Sequence, residues 1–174
     1  PTEVVERGIV GSSLGQESIN QGLISTLVAL AVVFLFIYLY YNVAGLIVWI
    51  ALIANIFFTL GVMASFGTIL TLSGIAGFVL SVAMSIDANV LINERIREEL
   101  QVGKSFGEAV RIGYTKAYSS ILDSNITTFI IGVILYLLSE ASLVRGFAIT
   151  LMIGICTSLF SAIFITRLIT EVFY

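Results

Sequence analysis

Residues 18–86 read SINQGLISTLVALAVVFLFIYLYYNVAGLIVWIALIANIFFTLGVMASFGTILTLSGIAGFVLSVAMSI. No charged residue occurs in this stretch, and a helix needs about 20 apolar residues to cross the hydrocarbon core of a bilayer. The stretch therefore has room for about three membrane spans. Turn-forming residues at 41–45 and at 65–74 predict where these spans are divided.

The rest of the 174-residue chain shares this composition. It is 59% hydrophobic and 11% charged, where soluble domains carry roughly a quarter charged residues, and its mean hydropathy is +1.10. Eight basic residues against eleven acidic ones offer no basic surface for nucleic acid. With no histidine and a single cysteine, Cys156, the usual zinc sites, Ser-His-Asp triads and intrachain disulfides are excluded. We expect an integral membrane protein that is not an enzyme and has no metal or cofactor.

The predicted fold is an all-α bundle of five transmembrane helices. Lipid offers the backbone no hydrogen-bond partner, so only helices and closed barrels cross it. The apolar run from Val28 to Leu35 lacks the alternation of a barrel strand. The spans are predicted at about 20–41, 43–64, 72–93, 118–139 and 146–168.

Basic residues predict how the bundle is oriented. Five of the eight lie in the segment 94–117, and cytoplasmic loops are the ones enriched in lysine and arginine. We therefore expect this segment and the C-terminus to be cytoplasmic and residues 1–19 to be periplasmic. Alternating apolar and charged residues after Gly103 predict an amphipathic helix lying at the inner membrane surface. It is interpreted as a connector that covers the bundle, with a docking site for a cytoplasmic partner as the alternative.

The N-terminal residues differ from the rest. Residues 3–10 are predicted to form an extended strand, and one strand is not a domain. We expect residues 1–19 to be the end of a larger extracytoplasmic region that precedes them.

Two carboxylates, Asp87 and Asp123, fall inside apolar runs. A charge at the bilayer centre costs about 2.5–3.5 kcal/mol on insertion scales, and such residues usually mark ion pathways. Burial favours the neutral, protonated carboxyl group. Both residues are predicted to couple protons, the alternative being structural capping by nearby hydroxyls and amides. The supporting polar residues are Asn89, Asn93, Asn125, Thr127 and Thr128.

Small residues recur at helical spacing on the third and fifth spans. Such residues let transmembrane helices approach closely, so we expect them to pack two helices together, with a sliding contact as the alternative. The predicted packing residues are Gly77, Ser81, Gly146, Thr150, Gly154 and Ser158.

Several motifs, in this order, resemble the C-terminal membrane half of the SecD family of bacterial protein-export subunits. The resemblance covers nearly the whole chain. The motifs are LGQESI at 14–19, LTLSGIAG at 70–77, DANVLINERIREEL at 87–100, DSNITT at 123–128 and RGFAIT at 145–150.

The resemblance carries expectations about architecture and function. Members of this family have six transmembrane helices, with a large periplasmic region between the first two, so the chain corresponds to helices two to six. The family belongs with the RND transporters, pairs with SecF beside the SecY channel in the inner membrane, and uses the proton gradient to assist the translocation of secretory proteins. Asp87 matches the family's intramembrane aspartate linked to proton conduction, and Asp123 matches a polar position on the next helix.

The sequence departs from the family pattern in its outer turns. Ser73 stands where the family often has proline, and residues 139–142 replace a glycine-rich loop. Apart from Arg167 at the inner boundary of the last span, no arginine lies within a predicted span. A cationic partner for Asp87 would therefore have to come from SecF.

Other functions stay open at this point. Asp87 and Asp123 resemble a carboxylate pair that shares a proton in an aspartyl protease, although the Gly-x-Gly-Asp context of intramembrane enzymes is missing. A passive assembly subunit and a segment of an RND-type small-molecule exporter are further alternatives. The coupling ion is either H⁺ or Na⁺, since both are bound by oxygen.

Overall fold

The computed structural model describes residues 12–66 and 71–173. A π-helical turn at Ser161–Ile165 joins the fifth helix to the sixth. Within the described residues, five segments are long and apolar enough to cross a bilayer, the fifth running from Ser142 to Thr170. The predicted all-α bundle of five transmembrane helices is confirmed, while the strand predicted at 3–10 lies outside the described residues. The helices are α1 Ser12–Tyr41, α2 Val43–Ser65, α3 Leu72–Gln101, α4 Phe106–Leu138, α5 Ser142–Phe160 and α6 Thr166–Phe173.

The hairpin between α1 and α2 turns on a single residue. Asn42 has a φ of 49°, and among the described residues it is the one non-glycine residue with positive φ. Asparagine tolerates this conformation better than most side chains. Just beyond the turn, Gly45 packs on the backbone of α1, where a Cβ atom would lie 2.7 Å from the carbonyl oxygen of Ile37. The turn and this contact bring the last turns of α1 against the first turn of α2.

α3 lies at the centre of the bundle and runs antiparallel to α4. The turn between them contains Gly103, which has a φ of 90°. Nearby, a Cβ atom on Gly113 would lie 2.9 Å from the backbone nitrogen of Ile96. Glycine at position 113 therefore permits the close approach of the two backbones.

α3 and α5 run parallel and pack through small residues. A Cβ atom on Gly77 would lie 2.7 Å from the Phe147 carbonyl oxygen, and one on Gly154 would overlap the side chain of Ser81. Near the start of both helices, Gly146 faces the side chain of Thr71. Five of the six residues predicted for helix packing therefore lie where α3 and α5 meet: Gly77, Ser81, Gly146, Thr150 and Gly154.

The outer surface of the bundle is apolar, most clearly on α1. Leu27, Phe36 and Leu39 are 66%, 64% and 67% exposed. Large contiguous apolar surface is rare on soluble monomers, whereas lipid provides an apolar environment for it. The exposure of α1 is thus that of a helix in contact with lipid or with another membrane subunit.

Two boundaries differ from those predicted. The segment after Gly103 is the beginning of α4, which continues without interruption from Phe106 to Leu138. The prediction of a separate amphipathic helix at the membrane surface was therefore wrong. Its buried side chains pack on α3, which gives the segment its apolar face. At the other terminus, α1 already begins at Ser12, so residues 12–19 of the predicted periplasmic segment are helical.

The end of the bundle formed by residues 94–116, called here the charged end, is held by an ion-pair cluster. α3 has 30 residues and is therefore about 45 Å long, so its last turns extend beyond a hydrocarbon core of about 30 Å. There Glu99, 4% exposed, accepts hydrogen bonds from the side chains of Lys104 and Lys116. The hydrogen bond from Lys104, followed by that from Lys116, holds the pKa of the Glu99 carboxyl below its usual value.

Replacing Glu99 with glutamine is expected to lower the thermal midpoint of unfolding by a few degrees at pH 7. A carboxyl group whose pKa is lowered by folding stabilises the folded state above its unfolded pKa, and that contribution is lost as the pH falls through the lower, folded value. The difference between wild type and variant should therefore persist from pH 7 to about 5 and shrink below about 4.5, the ordinary pKa of the group. Thermal unfolding in detergent at several pH values measures it.

Glu98→Gln is the matched control, because Glu98 pairs with Arg95 through side chains that are 55% and 39% exposed. Exposed pairs contribute little, so this variant should melt like the wild type. Equal losses in both variants would contradict the stabilising role of the Glu99 cluster.

Candidate functional site

Asp87 lies on the face of α3 that is turned toward α4. It lines a cleft of about 220 Å³ between the two helices, and the polar residues across the cleft are Ser124, Asn125 and Thr128. The antiparallel packing of α3 and α4 brings these residues to one level. The Asp87 side chain is exposed on the surface of the chain, so the cleft opens outward instead of into the centre of the bundle. Burial of the Asp87 carboxylate, expected from its place in an apolar run, is not provided by this chain.

The hydroxyl hydrogens of the cleft and one of the two amide hydrogens of Asn125 are already engaged. The hydroxyl of Ser124 and the amide of Asn125 both donate to the Ile121 carbonyl, at 3.3 and 2.7 Å, and the hydroxyl of Thr128 donates to the Ser124 carbonyl at 2.9 Å. The Asn125 side-chain oxygen is buried and has no hydrogen-bond partner among the described residues. What the cleft offers is therefore mainly acceptor oxygens. A protonated carboxyl can donate to them, whereas an ionised carboxylate cannot.

Asp123 lies next to this cleft and does not line it. Its side chain is exposed, and its backbone carbonyl accepts the Thr127 hydroxyl at 2.7 Å. Ser119, Ser120 and Thr127 are exposed on the same helix. We refer to Asp87, Ser119, Ser120, Asp123, Ser124 and Thr127, all exposed, as the polar face of the bundle.

Neither aspartate has a cationic partner in the described part of the chain. The four ion pairs found there all join residues between 94 and 116. Charged and polar groups inside a membrane almost always face a partner or water. The polar face is therefore the side of the chain whose polar groups need hydrogen-bond or charge partners that lipid cannot provide.

The two asparagines predicted to support Asp87 lie elsewhere. Asn89 is fully buried on another side of α3, where it accepts the Thr166 hydroxyl at 2.7 Å and donates to the Ser85 carbonyl at 2.9 Å. Asn93 lines a separate cavity of about 420 Å³ at the charged end, together with Arg97. Asn89 thus links α3 to the residue that follows the π-helical turn, and neither asparagine reaches the cleft.

Of the predicted supporting residues, Asn125 and Thr128 lie in the cleft with Asp87, and Thr127 lies outside it. Ser124 also lines the cleft and was not among the predicted site residues. Its i, i+4 spacing to Thr128 was a signal that could have found it. Of the predicted packing residues, Ser158 is buried and its hydroxyl has no partner among the described residues.

Comparison with known proteins places this architecture in one family. Residues 2–174 match the model of the C-terminal part of the protein-export membrane proteins SecD and SecF. The chain is 52% identical to the protein translocase subunit SecD of Rhodothermus marinus and 48% identical to that of Desulfurispirillum indicum, covering 98% of this chain in both cases. It covers 27% and 33% of those relatives, so it spans between a quarter and a third of their length.

Solved structures agree with the sequence matches. The crystal structure of SecDF from Thermus thermophilus, described as a translocon-associated membrane protein, superposes with a TM-score of 0.90 at 37% identity. The match covers 93% of this chain and 22% of that one. A second SecDF crystal structure, in a super-membrane-facing form, gives a TM-score of 0.85.

Proposed function

We propose, since the chain belongs to the SecD/SecF family of protein-export membrane proteins, that it is the proton-coupled membrane part of a SecD subunit. It is a multi-pass membrane protein that resembles the C-terminal part of SecD. In the proposal it lies in the bacterial inner membrane, with the charged end and the C-terminus in the cytoplasm. There it works with SecF and the SecY channel and uses the proton gradient to assist the export of secretory proteins.

The observation that carries the proposal is the position of Asp87. A carboxyl group lies within a membrane span, opposite acceptor oxygens, and forms no ion pair with any described residue. In such a place the ionised form is costly, so proton uptake and release change the energy of the surrounding packing. A single titrating group of this kind is enough to bias a two-state structure.

The chemistry of the cleft assigns a different neighbour to each protonation state. The protonated carboxyl donates a hydrogen bond to acceptors on α4, which holds α3 and α4 together across the cleft. The ionised carboxylate needs several donors or a cation, of which the cleft has only the second amide hydrogen of Asn125, and we assign the others to SecF. The polar face is then the surface that SecF covers, and the proton path runs along the interface between the two subunits.

The close packing of α3 on α5 supports a movement that follows protonation. Small residues let two helices shift against each other without displacing large side chains. Asn89 further links α3 to Thr166, just after the π-helical turn, and π turns are frequent at functional sites. A change at Asp87 therefore has a contact route to the fifth span.

The test is protein export into inverted membrane vesicles that contain the full-length protein, SecF and the SecY channel. With ATP present, a proton gradient should increase the amount of secretory protein protected from protease. A protonophore should remove this increment, whereas collapsing a sodium gradient should leave it unchanged.

Vesicles with the SecY channel alone are the control, and their response to the gradient should be smaller. An equal response in the two kinds of vesicle would contradict the proposed function. An increment that follows the sodium gradient would replace H⁺ with Na⁺ as the coupling ion.

A further inference from the structure

Three polar side chains in the interior of the bundle have no hydrogen-bond partner among the described residues. They are Asn55 on α2, Ser85 on α3 and Ser158 on α5. The first two are 0% exposed and Ser158 is 1% exposed. Buried polar groups nearly always bond to protein or to ordered water, so three unpartnered groups require an explanation.

Two hydrogen bonds fix how α2 faces the fifth span. The hydroxyls of Thr59 and Thr157 share one of 2.7 Å, and the Ser161 hydroxyl donates to the Ala51 carbonyl at 2.8 Å. Asn55 lies one helical turn from each of the two α2 residues, on the same face of the helix. Its side chain therefore points into this contact, midway between the two bonds.

The packing of α3 on α5 brings the other two groups to the same level. The side chain of Ser81 touches Gly154, and one turn further along these parallel helices stand Ser85 and Ser158. Along the chain, Ser158 also lies between Thr157 and Ser161, the two residues of the fifth span that bond to α2. We refer to Asn55, Ser85 and Ser158 as the polar junction, because the register of all three helices directs them to one place.

We propose that the polar junction binds ordered water in the middle of the bundle. A buried water makes two to four hydrogen bonds to otherwise unsatisfied groups. The junction offers the two amide hydrogens and one carbonyl oxygen of Asn55 together with the hydroxyls of Ser85 and Ser158. This set of donors and acceptors is complementary to water, which itself donates twice and accepts twice.

The charge at the junction favours water over a cation. All three side chains are neutral, and the nearest carboxylate on α3, that of Asp87, is exposed on the outer surface instead. Moving a cation into a low-dielectric interior without a counter-charge is costly. An uncharged guest avoids this cost and satisfies the same oxygens.

A water here would keep the polar groups satisfied when the helices move. The π-helical turn begins at Ser161, less than one turn beyond Ser158, so the junction adjoins the irregular part of the fifth span. A bound water can exchange partners as the packing of α5 changes, whereas a direct hydrogen bond between side chains would break.

Hydroxyl-radical footprinting of the full-length protein with SecF tests the proposal. X-ray radiolysis of a bound water oxidises side chains that touch it, even when bulk water cannot reach them. Leu52, one turn from Asn55, and Ile37, on α1, are 1% and 2% exposed. Leu52→Met and Ile37→Met provide a reactive reporter at each place with little change in volume. The reporter at position 52 should oxidise at least about five times faster than the one at position 37 if water is bound at the junction.

Removing the polar group should abolish that difference. Asn55→Leu keeps the size of the side chain, and in its background the two reporters should oxidise at equal, slow rates. If Asn55→Leu does not assemble, the Ser85→Ala/Ser158→Ala pair makes the same test with smaller changes. Equal oxidation of both reporters in the otherwise unchanged protein would overturn the proposal. So would a thermal midpoint that rises with sodium but not with choline and loses this response in Asn55→Leu, because the guest would then be a cation.

Discussion

Replacing Asp87 with asparagine is expected to remove the gradient-dependent part of protein export while the subunit still assembles. Asparagine has nearly the size of aspartate and stays neutral at every pH, so the cleft keeps its packing and loses its titration. Two states that no longer differ in charge cannot be driven by a proton gradient, and the increment should fall at least about tenfold. Export with ATP alone should remain at the wild-type level.

The measurement is the vesicle assay with and without a gradient, after co-purification has shown that wild type and variant retain SecF equally. Asp123→Asn is the matched control, since Asp123 is also an exposed carboxylate within a predicted span and does not line the cleft with Asp87. Its increment should be reduced less than that of Asp87→Asn. If Asp87→Asn assembles and keeps its increment, Asp87 is structural, and the coupling site lies at Asp123 or in SecF.

The number and type of the spans could be predicted from composition alone, because lipid leaves the backbone few choices. The same holds for the small residues on α5, whose four-residue spacing places them on one face of any helix. The pattern also named Asn125 and Thr128, which line the same cleft as Asp87 because they lie on the next antiparallel helix.

The depth and direction of individual side chains could not be predicted in this way. Residues two apart on a helix point about 200° from each other. Asp87 and Asn89 therefore lie on different sides of α3, and Asp123 and Asn125 on different sides of α4. A single sequence shows these angles but not which side faces a neighbouring helix. That depends on how the helices pack, which is why Asn89 is buried and Asp123 is exposed.

Two further features of the fold could not be predicted from the pattern of residues in the sequence. Gly113 looks like an interruption between a surface segment and a span, yet it permits close contact with the Ile96 backbone inside a continuous helix. The π-helical turn at Ser161–Ile165 contains no proline or glycine to mark it. Its hydrogen-bond shift is associated with tertiary contacts, such as that of the Ser161 hydroxyl with the Ala51 carbonyl, and these are absent from local sequence.

Replacing Gly154 with alanine is expected to destabilise the bundle by about 1–3 kcal/mol, the usual cost of overpacking a well-packed interior. The new Cβ atom would overlap the side chain of Ser81, which is 0% exposed and has no room to turn away. Alanine is otherwise the better helix former by about 1 kcal/mol, so a loss of stability shows that the clash outweighs propensity. Gly61→Ala is the control, because position 61 has open space around it and the same propensity gain.

A second substitution separates this steric contact from any other effect of the mutation. Ser81→Gly removes the atoms that the new methyl group would strike, so the double variant Gly154→Ala/Ser81→Gly should recover most of the lost stability, as expected for residues in direct contact. Ser81→Ala keeps its Cβ atom and should rescue little. Reversible unfolding in detergent micelles gives the free energy of unfolding of five proteins: the wild type, Gly154→Ala, Gly61→Ala and the two double variants that combine Gly154→Ala with Ser81→Gly or Ser81→Ala.

Because α3 carries Asp87 and α5 leads into the π-helical turn, the Gly154→Ala/Ser81→Gly variant can also be tested in export. If it is as stable as wild type but slower in gradient-driven export, this contact moves during the cycle. A double variant no more stable than Gly154→Ala would show that the two helices do not meet at these residues.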